Sequence, residues 1–366
     1  MPPLISVIVP NYQGREIFPA CIDSLRKQSY PRIQIVFCDD SSTDGSYELA
    51  RNTYGKAITL TRTKQNSGFV GACNTALQVC KGTYICIVNN DATFPRNWMQ
   101  EMYNTVKGKK RIIGGSLAAA NKKEEAYLHR LLKQGIFGVN TLVGTMVSRS
   151  LTPMERKTGH VEMHALGAVI LPRNVLTDYI YQHDYFAYGE DIELCWRLRL
   201  QGYHVVLNTK AMMRHYGSYT KKKVPTFNMR ASYHGTRNQI TNFFVLYEWQ
   251  NVLKLAPWFF AMSFGRALAR PSHWPQYAKA YCWVLFHLGT IYQRRKRMQR
   301  TRTVSDAEIL RILSYRLHEV KKRSWRQLVV RGANACMRLY CKIVHLRTFD
   351  LNDDDAIPRI HEKAVS

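Results

Sequence analysis

Acidic residues are scarce in this chain: 26 Asp and Glu stand against 53 Lys and Arg, a formal charge of +27 over 366 residues. Such an imbalance implies an anionic partner, and nucleic acid, anionic lipid and a phosphorylated substrate all meet that requirement. C-x-x-C pairs are missing altogether. The nine cysteines are scattered and odd in number, and several sit within apolar runs, which argues against a zinc site or a disulfide framework and reads as reduced cysteines of a cytosolic protein. Also missing is any uncharged run near the roughly 20 residues that a membrane-spanning helix requires. Within residues 251–349 the longest, 255–265 and 280–293, fall short of it. Met1-Pro2-Pro3-Leu4 leads straight into a strand-like segment, with no basic region and no separate apolar stretch, so no signal peptide is expected. Neither a G-x-G-x-x-G loop nor a P-loop occurs. No helix-turn-helix, zinc-finger or RRM signature accompanies the positive charge, which weighs against nucleic acid as the partner.

What is present is ordinary globular material, 46% hydrophobic and 22% charged, in a chain long enough for one sizeable domain plus an attached part. Ile5 to Val9 reads as a β-branched strand, followed by an amphipathic helix carrying Phe18, Cys21, Ile22 and Leu25. Ile33 to Cys38 makes a second strand that runs into Asp39-Asp40-Ser41-Ser42-Thr43-Asp44-Gly45-Ser46, and Ile58 to Thr61 makes a third. Asn66-Ser67-Gly68 opens a helix that Lys81-Gly82 closes, its small residues allowing close approach of an anion. The strand Tyr84 to Val88 then stops on Asn89-Asn90-Asp91. That places a carboxylate where open α/β sheets hold ligands, although the same three residues suit a plain turn. Strands alternating with helices predict a mostly parallel, doubly wound sheet.

Residues 116–159 read as irregular, a stretch suited to meeting a variable partner. Past them, Tyr188-Gly189-Glu190-Asp191 opens a helix whose apolar stripe includes Ile192, Cys195 and Trp196. Its acids are equally accounted for by the dipole of that helix N-terminus. Tyr203 to Asn208 is a further strand, with His215-Tyr216-Gly217 close behind; a lone His is usually structural. Lys221-Lys222-Lys223 is a solvated charge run or an anion-binding lid. Residues 251–349 change character, with 20 Lys and Arg against 3 Asp and Glu among rings such as Trp258, Phe259, Phe264 and Trp274. Two readings stand for them. Amphipathic helices would lie in a membrane interface, with Arg294-Arg295-Lys296-Arg297 drawn to anionic lipid; otherwise a helical subdomain packs on the sheet. The expected division is 1–250, 251–349 and a disordered tail at 350–366.

Laid out in order, seven of these features resemble the glycosyltransferase family 2 enzymes, particularly the rhamnosyltransferase-like branch, over about residues 4–250. They are Val9-Pro10-Asn11-Tyr12, the segment Asp39 to Ser46, Asn66-x-Gly68-Phe69 with Asn74, Asn89-Asn90-Asp91, Tyr188-Gly189-Glu190-Asp191 with Leu194-Cys195-Arg197, His215-Tyr216-Gly217, and Arg237-Asn238. The resemblance implies a GT-A fold, a Rossmann-like and mostly parallel α/β sheet flanked by helices, with 251–349 as an amphipathic helical module. It implies a cytoplasmic enzyme, peripheral on the inner face of the membrane, that moves a sugar with inversion from a nucleotide-sugar to a glycan or polyprenyl-linked glycan. Rhamnose from dTDP-rhamnose is the donor this branch suggests.

Site roles follow from the same resemblance. Pro10, Tyr12 and Asp39 would hold the base and ribose, and Asn66, Gly68, Asn74, Asn89 and Asn90 belong to the nucleotide-sugar site. Gly167 and Ala168 would line the sugar cavity through their backbone, and Arg237 would reach the diphosphate. Asp91, at the position of the family's D-x-D motif, and His215 would hold Mg2+ or Mn2+. Asp191 would be the general base, with Glu190 beside it shaping the acceptor site. Asn89 stands in place of the first acid of D-x-D, so the metal leans more on His215. Tyr181-Gln182-His183 replaces the family's Phe-Asp-Glu. The chemistry needs these types: a carboxylate to take the acceptor proton, and a hard cation on oxygen ligands to neutralise the departing diphosphate. A basic nucleic-acid-binding protein, or a non-catalytic sugar-binding module on the same fold, are the alternative functions.

Overall fold

The computed structural model describes residues 1–109, 112–134, 136–142, 146–163, 165–217, 227–316 and 325–351. The chain begins with β1 (Ile5–Asn11), α1 (Phe18–Arg26), β2 (Ile33–Asp39), α2 (Ser46–Tyr54), β3 (Thr59–Arg62), α3 (Gly68–Leu77) and β4 (Tyr84–Ile87). It continues through β5 (Ala92–Thr93), α4 (Trp98–Val106), β6 (Ile112–Ala119), α5 (Lys122–Lys133), β7 (Ile136–Asn140), β8 (Met146–Ser150), α6 (Pro153–Thr158), β9 (His160–Glu162) and β10 (Val169–Pro172). After α7 (Glu190–Leu200) and β11 (His204–His215) it becomes helical: α8 (Phe227–Leu246), α9 (Trp249–Ala269), α10 (Trp274–Phe286), α11 (Leu288–Thr301), α12 (Ala307–Leu310) and α13 (Trp325–Ile343).

The sheet runs β3-β2-β1-β4-β10-β6-β11-β5, with β9 paired to β11. β1 is parallel to β2 and β4, β2 to β3, and β6 to β11. β10 lies antiparallel between β4 and β6, which leaves those two strands pointing the same way. The C-terminal ends of β1, β2, β4 and β11 therefore open on one edge, and that edge is where the polar motifs collect. Period-two alternation distributes the apolar residues to two cores. Ile5, Val7, Val9, Cys86 and Val88 pack on one face, and Ile8, Ile85 and Ile87 on the other. A strand covered on both faces needs this near-continuous apolar run, which is why Tyr84 to Val88 is legible as central.

Three expectations change. The stretch 116–159 is ordered wherever it is described: β6 continues to Ala119, Asn121 caps α5 by accepting from the Glu124 amide, and Thr152 and Glu155 form a reciprocal capping box on α6. Arg294 and Arg295 are not free for lipid. Arg294 donates to the Tyr185 hydroxyl (3.1 Å) and lies 3.4 Å from Asp184, while Arg295 donates to the carbonyls of Phe244 and Tyr247. Both are buried, whereas Lys296 and Arg297 are exposed. Finally, a boundary at 250 cuts through a packed unit, because Trp196 and Leu200 of α7 share a core with Ile240, Leu246, Leu255, Ile291 and Leu313. Of the expected tail, Asp350 is tied to Ser314 Oγ (2.5 Å) and the Tyr315 amide (3.1 Å); residues 352–366 and Lys221-Lys222-Lys223 lie outside the described residues.

Candidate active site

At the sheet edge lies a cavity of about 460 Å³. Pro10, Tyr12, Asn66, Gly68, Asn89, Asn90, Asp91, Gly167, Glu190, Asp191 and His215 all line it, residues separated by up to two hundred positions in sequence. The short strand β5 explains part of this convergence. It pairs antiparallel with the end of β11, His215 opposite Ala92, and the Tyr216 amide donates to the Asp91 carbonyl at 2.9 Å. That pairing sets His215 Nε2 2.9 Å from Asp91 Oδ1 and 3.1 Å from Asn89 Nδ2. The hydrogen bond to Asp91 raises the His215 pKa, against burial that lowers it.

Asp91 and His215 offer one hard oxygen and one imidazole nitrogen at the cavity wall, and among the described residues no third His, Cys, Asp or Glu joins them. This donor set fits a divalent cation of the Mg2+ or Mn2+ kind, which takes one or two protein ligands and completes its shell with water and substrate phosphate oxygens.

Opposite requirements meet at the N-terminus of α7. A helix N-terminus favours ionised acids by about 0.3–1 kcal/mol. Yet Glu190 and Asp191 both have raised pKa values: burial is the main cause for each, and for Glu190 the neighbouring Asp191 charge adds to it. Desolvation thus opposes the dipole at this helix end. Asp191 Oδ1 accepts from the Ile192 amide at 2.8 Å, whereas Glu190 Oε2 is buried without a hydrogen-bond partner among the described residues. Adjacent acids that resist ionisation in a cavity are suited to proton exchange near neutral pH. The backbone leading into them is constrained: Tyr188 has φ +69° and Gly189 φ +81°, the former a left-handed conformation that non-glycine residues seldom adopt. Side-chain amides hold this loop. Asn238 donates to the carbonyls of Ala187 (3.0 Å) and Tyr188 (2.7 Å), and Asn242 to that of Gly189 (2.9 Å).

Four expected site residues do not line the cavity. Asp39 is fully buried, accepting from Arg62 (3.1 Å), the Ser42 amide (3.0 Å) and Asn11 (3.2 Å), which occupy both its oxygens. Asn74 clamps the loop at residues 180–181, donating to the Tyr181 carbonyl at 2.8 Å and accepting from the Ile180 and Tyr181 amides. Ala168 packs into the sheet core. Arg237 donates to the Asp184 carbonyl and lies 4.6 Å over the Trp283 ring, so it is turned away. Arg230, two turns earlier on α8, lines the cavity instead.

Sequence reasoning missed Asp40, Phe186 and Arg230 as lining residues. Asp40 had a usable signal, since it follows a strand and precedes Asn66-Ser67-Gly68 by one β-α step. Its carboxylate accepts from the Ser67 amide (2.9 Å), the Gly68 amide (2.7 Å), Ser67 Oγ (2.8 Å) and Thr63 Oγ1 (2.7 Å), fixing the entry to α3. Gly68, at φ +76°, admits no side chain there: a Cβ would stand 2.3 Å from the Phe186 carbonyl. Arg230 had no signal, because only the docking of α8 directs it to the cavity.

Comparison with known proteins gives three kinds of match. Residues 6–163 match the family model described as glycosyl transferase family 2. Over 111 residues the chain is 33% identical to the glycosyltransferase GlyG of Streptococcus pneumoniae, covering 30% of this chain and 37% of that one. Over 88 residues it is 33% identical to WfaP of Escherichia coli, a UDP-Glc:alpha-D-GlcNAc-diphosphoundecaprenol beta-1,3-glucosyltransferase, covering 24% of this chain and 35% of the relative. The chain thus spans little more than a third of the length of these relatives. The crystal structure of S. aureus TarS 1-349 superposes with a TM-score of 0.50 at 16% identity over 81% of this chain and 83% of the other, a likeness of fold alone.

Proposed function

We propose that this chain, whose residues 6–163 match the model of glycosyltransferase family 2 and whose fold is GT-A, transfers a sugar from a nucleotide-sugar to a glycan acceptor with inversion. The observation that carries this reading is the meeting of two acid-bearing element ends in one cavity, Asp91 with His215 on one side and Glu190 with Asp191 on the other.

In this reading Asp191 takes the proton of the acceptor hydroxyl as that oxygen attacks the anomeric carbon, and the bond from that carbon to the nucleoside diphosphate breaks on the opposite side. A raised pKa improves Asp191 as a base at neutral pH. Glu190 beside it is likewise held above the usual carboxylate range, by burial and by the Asp191 charge, which favours a single negative charge on the pair. Arg230 presents a positive charge to the cavity, favouring the diphosphate. A divalent ion at Asp91 and His215 would supply Lewis-acid stabilisation of the leaving group. The apolar residues exposed on the helical part, among them Phe264, Leu285 and Phe286, support a peripheral position on a membrane surface. Among the described residues no helix is long and apolar enough to cross one.

The test is a donor panel that includes dTDP-rhamnose, read by nucleoside-diphosphate release. Asp191→Asn is expected to lower transfer at least 10³-fold while nucleoside-diphosphate affinity stays within about twofold, the signature of a lost base. Full activity of that variant would remove Asp191 from the role.

A further inference from the structure

A second cavity, of about 620 Å³, lies between the α7 N-terminus and helices α8 to α10, and its chemistry differs from the first. Trp196, Phe243, Phe259 and Tyr277 line it with rings, Phe243 and Phe259 stacked at 4.2 Å. Arg266, Arg270 and His273 line it as well, with no acid among its described lining residues and no ion pair recorded for either guanidinium among the described residues. Ser232 Oγ lies 2.6 Å from His273 Nδ1, leaving the other ring nitrogen unassigned. Arginines without carboxylate partners recognise phosphate through paired N–H donors, and an aromatic wall takes hydrocarbon; a cavity of this size holds a small ligand.

Its position relates it to the first cavity. Gly189 and Ile192 line the second, whereas Glu190 and Asp191 line the first. At 100° per residue these pairs face opposite sides of the same helical turn, so the two cavities stand back to back across about 10–12 Å of helix. The start of α8 is shared in the same manner, with Arg230 on one side and Ala231 and Ser232 on the other. Apolar Phe264 and Leu268 of α9 are exposed beside Arg266 and Arg270.

We propose that this second cavity holds the phosphate-bearing apolar part of the acceptor, a prenyl-type diphosphate, with Arg266 and Arg270 on its phosphates and the ring-lined wall on its chain. The assignment rests on the glycosyltransferase reading, under which the glycan attached to that diphosphate extends around the first turn of α7 to Asp191. Both arginines are exposed and take no part in the donor cavity, so their replacement leaves it intact.

The experiment measures binding to the full chain by calorimetry for farnesyl diphosphate, farnesol, inorganic diphosphate, and the panel UDP, dTDP and GDP. Farnesyl diphosphate is expected to bind at least tenfold tighter than farnesol or inorganic diphosphate, and Arg266→Ala with Arg270→Ala to weaken it at least tenfold without changing nucleoside-diphosphate affinity. Gly235→Phe is a second variant that fills the cavity while keeping the charges. A Cβ at Gly235 meets nothing nearer than Tyr188 Cβ at 3.8 Å, and this variant should lose farnesyl diphosphate with an unchanged melting temperature. Unaltered binding in the double variant, equal affinity for bare diphosphate, or displacement of farnesyl diphosphate by the nucleotide would each overturn the proposal. If a nucleoside diphosphate binds and farnesyl diphosphate does not, the acceptor assignment alone fails. If no nucleoside diphosphate binds the parent chain, the donor reading fails whatever the lipid phosphate does.

Discussion

Glu190 and Asp191 sit where two physical effects disagree, and the disagreement has a measurable consequence. Burial raises the Glu190 pKa above its unfolded value, so the folded protein retains a proton that the unfolded chain releases. Stability therefore falls as pH rises from about 4.3, the unfolded value, through the raised folded one. Glu190→Gln removes that penalty and is expected to melt higher than the parent, the gap widening between pH 5 and pH 8 in a thermal-shift series; a constant gap would contradict the assignment. Asp91→Ala addresses the other side of the cavity. We expect Mn2+ to strengthen nucleoside-diphosphate binding to the parent at least tenfold and to have little effect on the variant, as read by calorimetry with and without the ion. Asp91, Glu190 and Asp191 were legible because acids at element ends stand out against apolar runs. Asn74 and Arg237 do not line the cavity, because their polar groups are here occupied by the loop at residues 180–184.

The position of α7 depends on what anchors its far end. Arg199, in its last turn, donates to Glu162 of β9 at 2.5 Å, and both side chains are almost wholly buried. Burial would raise the Glu162 carboxyl, but Arg199, His204 and Arg311 more than offset it and hold it well below the usual carboxylate range. A depressed carboxylate stabilises the fold above its unfolded pKa and loses that contribution as pH falls. Glu162→Gln leaves Arg199 without its countercharge, which in buried pairs costs about 3–5 kcal/mol. Chemical denaturation at pH 7 should register this loss, and the difference from the parent should shrink below about pH 4. The sequence showed α7 through its stripe and acidic first turn. It did not show Glu162, whose partners Arg199 and Arg311 are distant in sequence.

Among the described residues, the positive charge divides into two populations. Arg294, Arg295 and Arg302 are internal, joining the helical part to α7, α8 and the loop before α7 through carbonyls and acids. Others remain at the surface beside exposed rings, and these are the groups able to meet an anionic partner. The parent is expected to float with vesicles containing anionic lipid, and Phe286→Ser with Leu288→Ser to reduce flotation severalfold at unchanged melting temperature, since both side chains are exposed. Equal flotation of the two would count against a membrane-facing helical surface.

Local periodicity and turn chemistry were enough to specify the alternating strands and helices, the buried β4 and the acids that end or begin elements, because those signals depend on neighbours a few residues away. Which acids share a cavity, which arginines are consumed and where α8 docks depend on contacts across a hundred residues or more. Asp91 reaches His215 only through the pairing of β5 with β11, and Arg230 replaces Arg237 only through the way α8 lies on the loop before α7. Burial, which no local pattern encodes, then raises the pKa of both Glu190 and Asp191.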